Sequence, residues 1–284
     1  MKFAFVTCVQ IGLSCMEAIY DVNGTLDLVI SIPDEKAKKK SGRIYVDDFA
    51  AKHNIPVVKS NHVNDAAVIE AIKAYEIDWL FIIGWSQIAS KEVIEAAKLG
   101  AIGAHPTLLP MGRGRAAIPW AIIKGLDKTG VSFFKMDEGV DTGLILGQEE
   151  VAIKEDETAL TLYNKVNTAH ETLIKKLIID LKNNTVVGKL QDESKATYWV
   201  GRKPQDGRIS LSMSVNEVDR LVRATTKPYP GAFLIRGNKK VTIWKGFISD
   251  KKFLNDTYHK IILKDGYYYA TNYVVEDLVE DPNI

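Results

Sequence analysis

Short apolar runs alternate with stretches of helical periodicity through the first hundred residues, and this alternation restricts the fold more than any other feature. The apolar runs cover residues 2–7, 26–32, 55–60 and 78–85. Helical spacing fills residues 46–53, 65–75 and 91–99. Runs that are apolar at nearly every position are typical of strands buried on both faces of a parallel sheet. The alternation predicts a doubly wound α/β domain whose ligands bind beyond the carboxyl ends of the strands.

The second half of the chain changes character near residue 190. Before it, residues 154–184 carry one apolar stripe at helical spacing, which predicts a long amphipathic helix against the sheet. After it come a short helix over 215–225 and several β-type runs. We therefore expect a Rossmann-like, parallel-sheet catalytic domain over 1–189 and a smaller, mostly β domain over 190–284.

Composition narrows the functional classes. The 284 residues are 46% hydrophobic with a formal charge of +1, so a broad nucleic-acid-binding face is not expected. No apolar run approaches the ~18 residues of a membrane helix, and the N-terminus lacks the pattern of a signal peptide, which predicts a cytoplasmic location. The two cysteines, Cys8 and Cys15, fit core packing. The basic run 36–43 is expected to be a solvated loop.

Candidate catalytic residues lie in two loops. The stretch AIGAHPTLLPMGRGRAAIPWAI (101–122) places His105 after a small-residue run and ahead of Arg113 and Arg115. The stretch TGVSFFKMDEGVDTGLIL (129–146) reads as a strand over 130–136 and an acidic, glycine-rich turn that contains Asp141. The separation of 36 residues between His105 and Asp141 allows a helix near 115–124 to return the chain to a neighbouring strand. A carboxylate beside an imidazole fixes the ring tautomer and suits it to proton transfer near neutral pH.

The residues by themselves leave several chemistries open, including the structural role that a lone histidine after a strand usually has. An acyl hydrolase would need a nucleophile in a G-x-S-x-G turn, which the chain lacks. The five histidines are too scattered for close metal-ligand spacing, so no metal site is expected. A dehydrogenase would need G-x-G-x-x-G after the first strand, where only Gly12 stands. Trp79 and Trp85 fit core positions, Trp85 less clearly because it ends its strand.

Several motifs together resemble one family. HPTLLP (105–110), the RG pair at 113–114, AIPWAIIKG (117–125) and above all MDEGVDTG (136–143) are similar to the 10-formyltetrahydrofolate-dependent formyltransferases. RKPQDGRIS and LVRATTKPYPGAF (221–233) resemble the segment that follows the Rossmann-like domain in two-domain members. The resemblance covers most of the chain and implies N-formyl transfer from 10-formyltetrahydrofolate.

The resemblance also implies roles for individual residues. His105 would stabilise the tetrahedral oxyanion or shuttle its proton, and Asp141 would orient the ring and help deprotonate the amine. Arg113 is expected to contact the cofactor, and the pterin is expected to lie against the backbone of two loops, where Gly139 would allow close approach. These two loops comprise Trp85, Ser86, Gln87 and Ile88 in the first, and Glu138, Gly139, Val140 and Asp141 in the second.

One position departs from the family pattern. The family usually carries an asparagine two residues before the histidine, where its amide helps to hold the formyl oxygen, and this chain has Gly103. Loss of an oxyanion donor can cost about 3 kcal/mol in the barrier. Gln87 is the expected substitute; otherwise catalysis depends more heavily on His105, or the chain is a folate-binding protein without turnover.

The acceptor is expected to be a nucleotide-linked sugar. GWSQI and GRGRAAIPWAI look more like sugar-nucleotide members of the family than tRNA-directed ones, which usually show excess basic charge. The amine would then sit on a UDP- or dTDP-linked 4-amino-4,6-dideoxyhexose of surface polysaccharide biosynthesis, as in pseudaminic-acid pathways. Arg202, Lys203 and Tyr229 are the expected substrate contacts, and a homodimer is compatible with the resemblance. Methionyl-tRNA formyl transfer and formyltetrahydrofolate hydrolysis stay open as alternatives.

Overall fold

A computed structural model describes residues 1–37, 43–252 and 257–278. The basic run 36–43 therefore lies largely outside the described residues. The described strands are β1 Phe3–Val6, β2 Leu28–Ser31, β3 Val57–Lys59, β4 Trp79–Ile82, β5 Gly100–His105, β6 Arg113–Gly114, β7 Lys128–Lys135, β8 Ile145–Ala152, β9 Tyr198–Trp199, β10 Ala232–Arg236, β11 Lys239–Ser249, β12 His259–Leu263 and β13 Gly266–Asp277. The described helices are α1 Gln10–Asp21, α2 Asp34–Ala37, α3 Asp47–Lys52, α4 Ala66–Ala74, α5 Lys91–Ile94, α6 Ala117–Ile123, α7 Ala159–Lys182 and α8 Val215–Thr225.

The first sheet has seven strands in the order β3-β2-β1-β4-β5-β7-β8. The first five are parallel, which confirms the expected Rossmann-like fold class. The order reverses between β1 and β4, so the carboxyl ends of these two strands border a topological switch point, and β5 is the strand next to β4. His105 is the last residue of β5 and therefore stands at the edge where ligands bind in such sheets.

The strand β7 departs from the all-parallel expectation. It runs antiparallel to β5, with Ile102 opposite Lys135 and His105 opposite Ser132. The end of β7 therefore lies three residues below His105 along β5. The turn that follows β7 has to run back toward the carboxyl end of β5 before it can reach the histidine.

The inner strands β1, β2 and β4 are buried because they are apolar on both faces. Val68 and Ile72 of α4 and Val93 of α5 pack in one core cluster with sheet residues. On α1, Cys15 and Met16 are fully buried, and α1 is tied to α7 by Asn167, which donates to Ser14 Oγ at 3.1 Å. Cys8 is buried as well, which confirms core packing for both cysteines, and burial raises the pKa of the Cys15 thiol.

The second sheet is antiparallel, in the order β10-β11-β13-β12, and α8 packs against it. The start of α8 follows from its sequence, since Ser214 accepts from the Glu217 N–H and the Glu217 side chain accepts from the Ser214 N–H. Val218 and Val222 of α8 are completely buried in the core of this sheet. The smaller antiparallel β domain of the predicted fold class is thereby confirmed.

Contacts divide the chain into two compact units. The first comprises Met1–Gly114, Thr129–Val151 and Lys165–Trp199, and the second comprises Arg115–Lys128, Ala152–Asn164 and Val200–Ile284. Residues 190–199 thus belong to the first unit, whereas α6 and the first turns of α7 belong to the second. In the described part of the chain, no helix combines the length and the apolar character needed to cross a membrane.

Candidate active site

His105 and Asp141 meet within the first unit. The distance from His105 Nδ1 to Asp141 Oδ2 is 3.4 Å, and the side chains are 8% and 17% exposed. His105 Nε2 lies 2.7 Å from the carbonyl oxygen of Gly112. A carbonyl oxygen only accepts, so Nε2 donates in this contact. The neutral ring has one N–H and can satisfy one of these two acceptors, whereas the protonated ring donates to both.

Asp141 is held in an uncommon backbone conformation. Its φ is +57°, in the left-handed region that aspartate tolerates better than most residues. The Gly114 N–H donates to Asp141 Oδ2 at 2.8 Å, which directs the carboxylate toward His105. Within the same turn, Asp137 Oδ1 accepts from the Gly139 N–H and the Thr142 hydroxyl. The acidic turn is therefore a built structure that presents Asp141.

Arg113 is held by hydrogen bonds within the first unit. Its side chain is completely buried, and all five of its N–H donors are used inside the first unit. Two go to Glu193 as a bidentate pair, two to Gln191 Oε1 and one to the Tyr198 hydroxyl, and Glu193 raises the pKa of the guanidinium. With all five donors engaged in these contacts, the side chain presents no free donor to a cofactor, and cofactor binding by Arg113 stays a prediction. Arg113 fixes the 191–198 segment beside the site.

The two predicted cofactor loops are joined by one ion pair. Lys91, just after the first loop, contacts Glu138 of the second at 2.7 Å. Ile88 is 77% exposed and Val140 is 50% exposed, so each loop carries an uncovered apolar side chain. Ser86 is exposed and Trp85 is partly buried against the core. Cofactor binding by these loops stays a prediction.

Gln87 and Gly139 both make contacts that serve the protein's own loops, and their expected roles toward the ligand stay predictions. Gln87 was expected to replace the missing oxyanion donor, but its Oε1 accepts from the Val63 N–H and from Trp85 Nε1, and its Nε2 donates to Asn61 O. Its carboxamide therefore holds the 61–63 loop. Gly139 was expected to make room for the pterin, but a Cβ there would collide with the side chain of Thr142. The glycine is required by the turn itself.

At Gly103, the space that the side chain of the family's usual asparagine would need is occupied by neighbouring side chains. A Cβ on Gly103 would lie 2.8 Å from Phe134 Cζ and 3.3 Å from Met136 Cγ. Phe134 is 3% exposed and packs in a cluster with Leu109 and Ile145, so its ring has little room to move. The glycine and the phenylalanine are therefore complementary, and the structure leaves no space for a side chain at 103.

Restoring the asparagine is thus expected to damage the protein. Gly103→Asn should lower the free energy of unfolding by about 1–3 kcal/mol, because overpacking displaces the Phe134 ring. Gly103→Ala should lower it by a similar amount, since the clash begins at Cβ, and Phe134→Leu should relieve both variants. Urea unfolding of the wild type, the two single variants at 103 and the two double variants with Phe134→Leu measures this. An undiminished stability of Gly103→Asn would show that the site has space for the amide.

His170, on α7, is a second buried histidine close to the site. Its ring packs edge-on to Phe133, and Nδ1 donates to Val166 O at 2.7 Å. Burial lowers the pKa of His170 from 6.5 to about 4, with a smaller contribution from the charge of His105. His170 is therefore neutral near pH 7.

His170 should make stability depend on pH. Because the native pKa is lowered, this contribution is complete above about pH 6.5 and is lost as the pH falls toward 4. Between pH 7 and 4.5 the loss is expected to be about 2 kcal/mol, and His170→Gln should remove it. Urea unfolding of both proteins at the two pH values gives the difference. An identical pH dependence in the variant would contradict the assignment.

The predicted substrate residues lie together in the second unit. Arg202, Lys203 and Tyr229 line one cavity of about 160 Å³ with Pro119 and Thr225. The Arg202 guanidinium lies 4.9 Å from the centroid of the Trp120 ring and donates to Asp206 O, and burial lowers its pKa. Burial raises the pKa of Tyr229 to about 12, so its hydroxyl stays a donor. Their role in binding substrate stays a prediction.

Among the described residues, no His, Cys, Asp or Glu side chains form a group of three or more suited to a metal.

A Rossmann-like sheet with a His–Asp pair at its carboxyl edge, in a chain that also holds an antiparallel β domain, is an arrangement suited to a two-domain group-transfer enzyme. The chain belongs to the formyl transferase family: the formyl transferase model matches residues 13–178, and that of the formyl transferase C-terminal domain matches residues 202–267. The protein is therefore an enzyme of one-carbon transfer.

Relatives with different acceptors resemble the chain. Methionyl-tRNA formyltransferase of Clostridioides difficile (strain 630) is 32% identical over 288 residues, covering 100% of this chain and 93% of the relative. The N-formyltransferase of Helicobacter canadensis, solved with folinic acid and dTDP-3-aminofucose, has a TM-score of 0.70 at 21% identity, covering 96% and 100% of the two chains. WlaRD, a sugar 3N-formyl transferase solved with dTDP and 5-N-formyl-THF, has a TM-score of 0.68 at 21% identity, covering 99% and 98%. The two solved structures share the fold.

Proposed function

We propose that this enzyme transfers the formyl group of 10-formyltetrahydrofolate to the amine of a nucleotide-linked amino sugar, of the 4-amino-4,6-dideoxy type. The observation that carries the proposal is the His105–Asp141 pair, at 3.4 Å, at the carboxyl edge of the sheet. The formyl donor is 10-formyltetrahydrofolate, as expected from the sequence, and relatives of the same fold were solved with folate derivatives. The exposed apolar side chains of Ile88 and Val140 suit the flat face of a pterin.

The residues of the chain carry the proton chemistry. When the acceptor amine attacks the formyl carbon, a new C–N bond forms, the bond from N10 to that carbon breaks, and the amine must lose a proton while N10 gains one. Asp141 is the proposed acceptor of the amine proton and returns it to N10 when the bond to the formyl carbon breaks, and His105 is the proposed donor toward the oxygen that becomes negative. A protonated His105 carries an N–H on each ring nitrogen, and one of them would have to leave its present contact with Gly112 O or Asp141 to reach that oxygen.

Two observations favour a nucleotide sugar as the acceptor. The cavity in the second unit brings together two cationic side chains, Arg202 and Lys203, and the hydroxyl donor of Tyr229, a set that suits a diphosphate. The formal charge of +1 provides no excess of basic residues for a tRNA acceptor stem. Relatives of the same fold were solved with dTDP-3-aminofucose and with dTDP, which supports the choice.

Methionyl-tRNA is the second candidate acceptor. It is favoured by the 32% identity to a methionyl-tRNA formyltransferase over the whole chain. The two acceptors make opposite demands on the second unit, since tRNA needs many phosphate contacts and a nucleotide sugar needs one enclosed site. Turnover with tRNA should therefore fall steeply with added salt, whereas turnover with a nucleotide sugar should fall less.

The test is a panel of acceptors incubated with 10-formyltetrahydrofolate. UDP- and dTDP-linked 4-amino and 3-amino sugars and methionyl-tRNA are compared by tetrahydrofolate release and by the mass gain of one formyl group. Formylation of one sugar, strongly reduced but still measurable in Asp141→Asn and reduced in Lys203→Ala, would support the proposal. Formylation of methionyl-tRNA alone would replace it with the second candidate. Tetrahydrofolate release without any formylated acceptor would identify a hydrolase.

A further inference from the structure

The main chain of Asp141 is held by a residue that lies outside the sequence motifs of the site. Gln191 Nε2 donates to Asp141 O at 2.8 Å and to Gly143 O at 2.8 Å. Both N–H groups of this carboxamide thus bind carbonyls of the turn that presents the catalytic carboxylate. Gln191 lies 50 residues beyond Asp141 in sequence, after the long helix α7.

The orientation of the Gln191 carboxamide is fixed by Arg113. Gln191 Oε1 accepts from Arg113 Nε at 3.2 Å and from Arg113 Nη2 at 2.8 Å. A guanidinium only donates and the two turn carbonyls only accept, so the carboxamide satisfies its partners in one orientation alone. Gln191 is 9% exposed, which shields these hydrogen bonds from exchange with water.

The carboxylate and the carbonyl of Asp141 are therefore tied to the same short strand. The Arg113 side chain holds Gln191, which holds Asp141 O, and the next residue, Gly114, donates its N–H to Asp141 Oδ2. The strand β6 is in turn paired with β9, and Glu193 binds the Arg113 guanidinium. Asp141 has a left-handed backbone conformation, and both its carbonyl and its carboxylate are hydrogen-bonded. It therefore has little freedom to move the carboxylate away from His105.

We propose that Gln191 is a positioning residue for formyl transfer: its carboxamide, oriented by Arg113, sets the main chain of Asp141 so that the carboxylate faces Nδ1 of His105. Gln191 acts through Asp141 and touches no reacting atom. The inference rests on the proposed role of Asp141. It predicts that a change at Gln191 lowers turnover only while Asp141 carries a carboxylate.

The experiment is a double-mutant cycle. Gln191→Glu keeps the shape and the contact with Arg113 but turns a carboxylate oxygen toward two carbonyls, which should displace the turn. Since a misplacement of about 1 Å can cost on the order of a hundredfold in rate, kcat should fall about 10- to 100-fold. In the Asp141→Asn background the same change should cost less than about threefold. Turnover is followed with the best acceptor of the panel, or with hydroxylamine as a surrogate amine.

A matched control and a second readout separate positioning from general damage. Asn167→Asp makes the same chemical change on α7, where the Asn167 amide donates to Ser14 and Glu171, and kcat should stay close to wild type. The 15N resonances of the His105 ring, which report where its protons lie, should change in Gln191→Glu and not in Asn167→Asp. Unaltered ring resonances in Gln191→Glu, or an equal loss of kcat in both Asp141 backgrounds, would overturn the role of Gln191. Wild-type turnover in Asp141→Asn would instead overturn the proposed site.

Discussion

His105→Gln is expected to reduce kcat by about 10²- to 10⁴-fold, the range for loss of a positioned acid–base group. Glutamine can still donate to Gly112 O from a similar position, so the contact that Nε2 makes at 2.7 Å is replaced. What glutamine cannot do is gain or lose a proton at the attacked formyl group. The folate KM should change little, because His105 is 6% exposed and offers little surface to a ligand. Steady-state kinetics with the acceptor identified by the panel measures both quantities.

The control for this prediction is His259→Gln. His259 lies on β12 in the second unit, and its replacement should leave kcat within about threefold of wild type. A fall in kcat of the same size in both variants would point to general loss of structure. A near-normal kcat in His105→Gln would remove the imidazole from the mechanism and leave Asp141 as the candidate base.

The parts of the fold that follow from local pattern could be predicted. The four apolar runs of the first hundred residues became β1 to β4, and α8 begins and ends at the residues that its spacing indicated. The helix α1 carried no such signal, because small and polar residues interrupt its apolar stripe. The direction of β7 could not be predicted either, since an apolar run has the same pattern in a parallel and an antiparallel strand.

The candidate site was predictable where it depends on motifs. The structure brings His105 and Asp141 together, as expected from two loops that flank neighbouring strands. The contacts that hold them were not predictable. Gln191 and Arg113 are 78 residues apart in sequence, and no helical or strand periodicity relates the two positions. A buried arginine also contradicts the general exposure of charged residues. Only the family resemblance drew attention to Arg113 in the sequence, and it suggested a contact with a ligand and not a buried structural role.

Arg113→Met is expected to destabilise the protein by about 3 kcal/mol or more. Methionine can fill the buried space, but it leaves Gln191 Oε1 without the two donors that Arg113 supplies. A buried polar group that loses its partner costs about 1–3 kcal/mol, and hydrogen bonds to charged groups are each about 1.5–3 kcal/mol. Turnover should fall as well, because an unrestrained carboxamide no longer fixes Asp141. Urea unfolding and steady-state kinetics measure the two effects separately.

Two companion variants identify which contacts of Arg113 matter. Glu193→Gln keeps an acceptor for the guanidinium and removes the charge of a side chain that is 66% exposed, so stability and turnover should change far less than in Arg113→Met. Arg113→Lys keeps the charge but cannot donate to Gln191 and Glu193 in the geometry of the guanidinium, so its turnover should fall with that of Gln191→Glu. If Glu193→Gln were as damaging as Arg113→Met, the ion pair would be the essential contact. The order Arg113→Met, Arg113→Lys, Glu193→Gln in decreasing damage would instead mean that the hydrogen bonds to Gln191 are what the active site requires of this arginine.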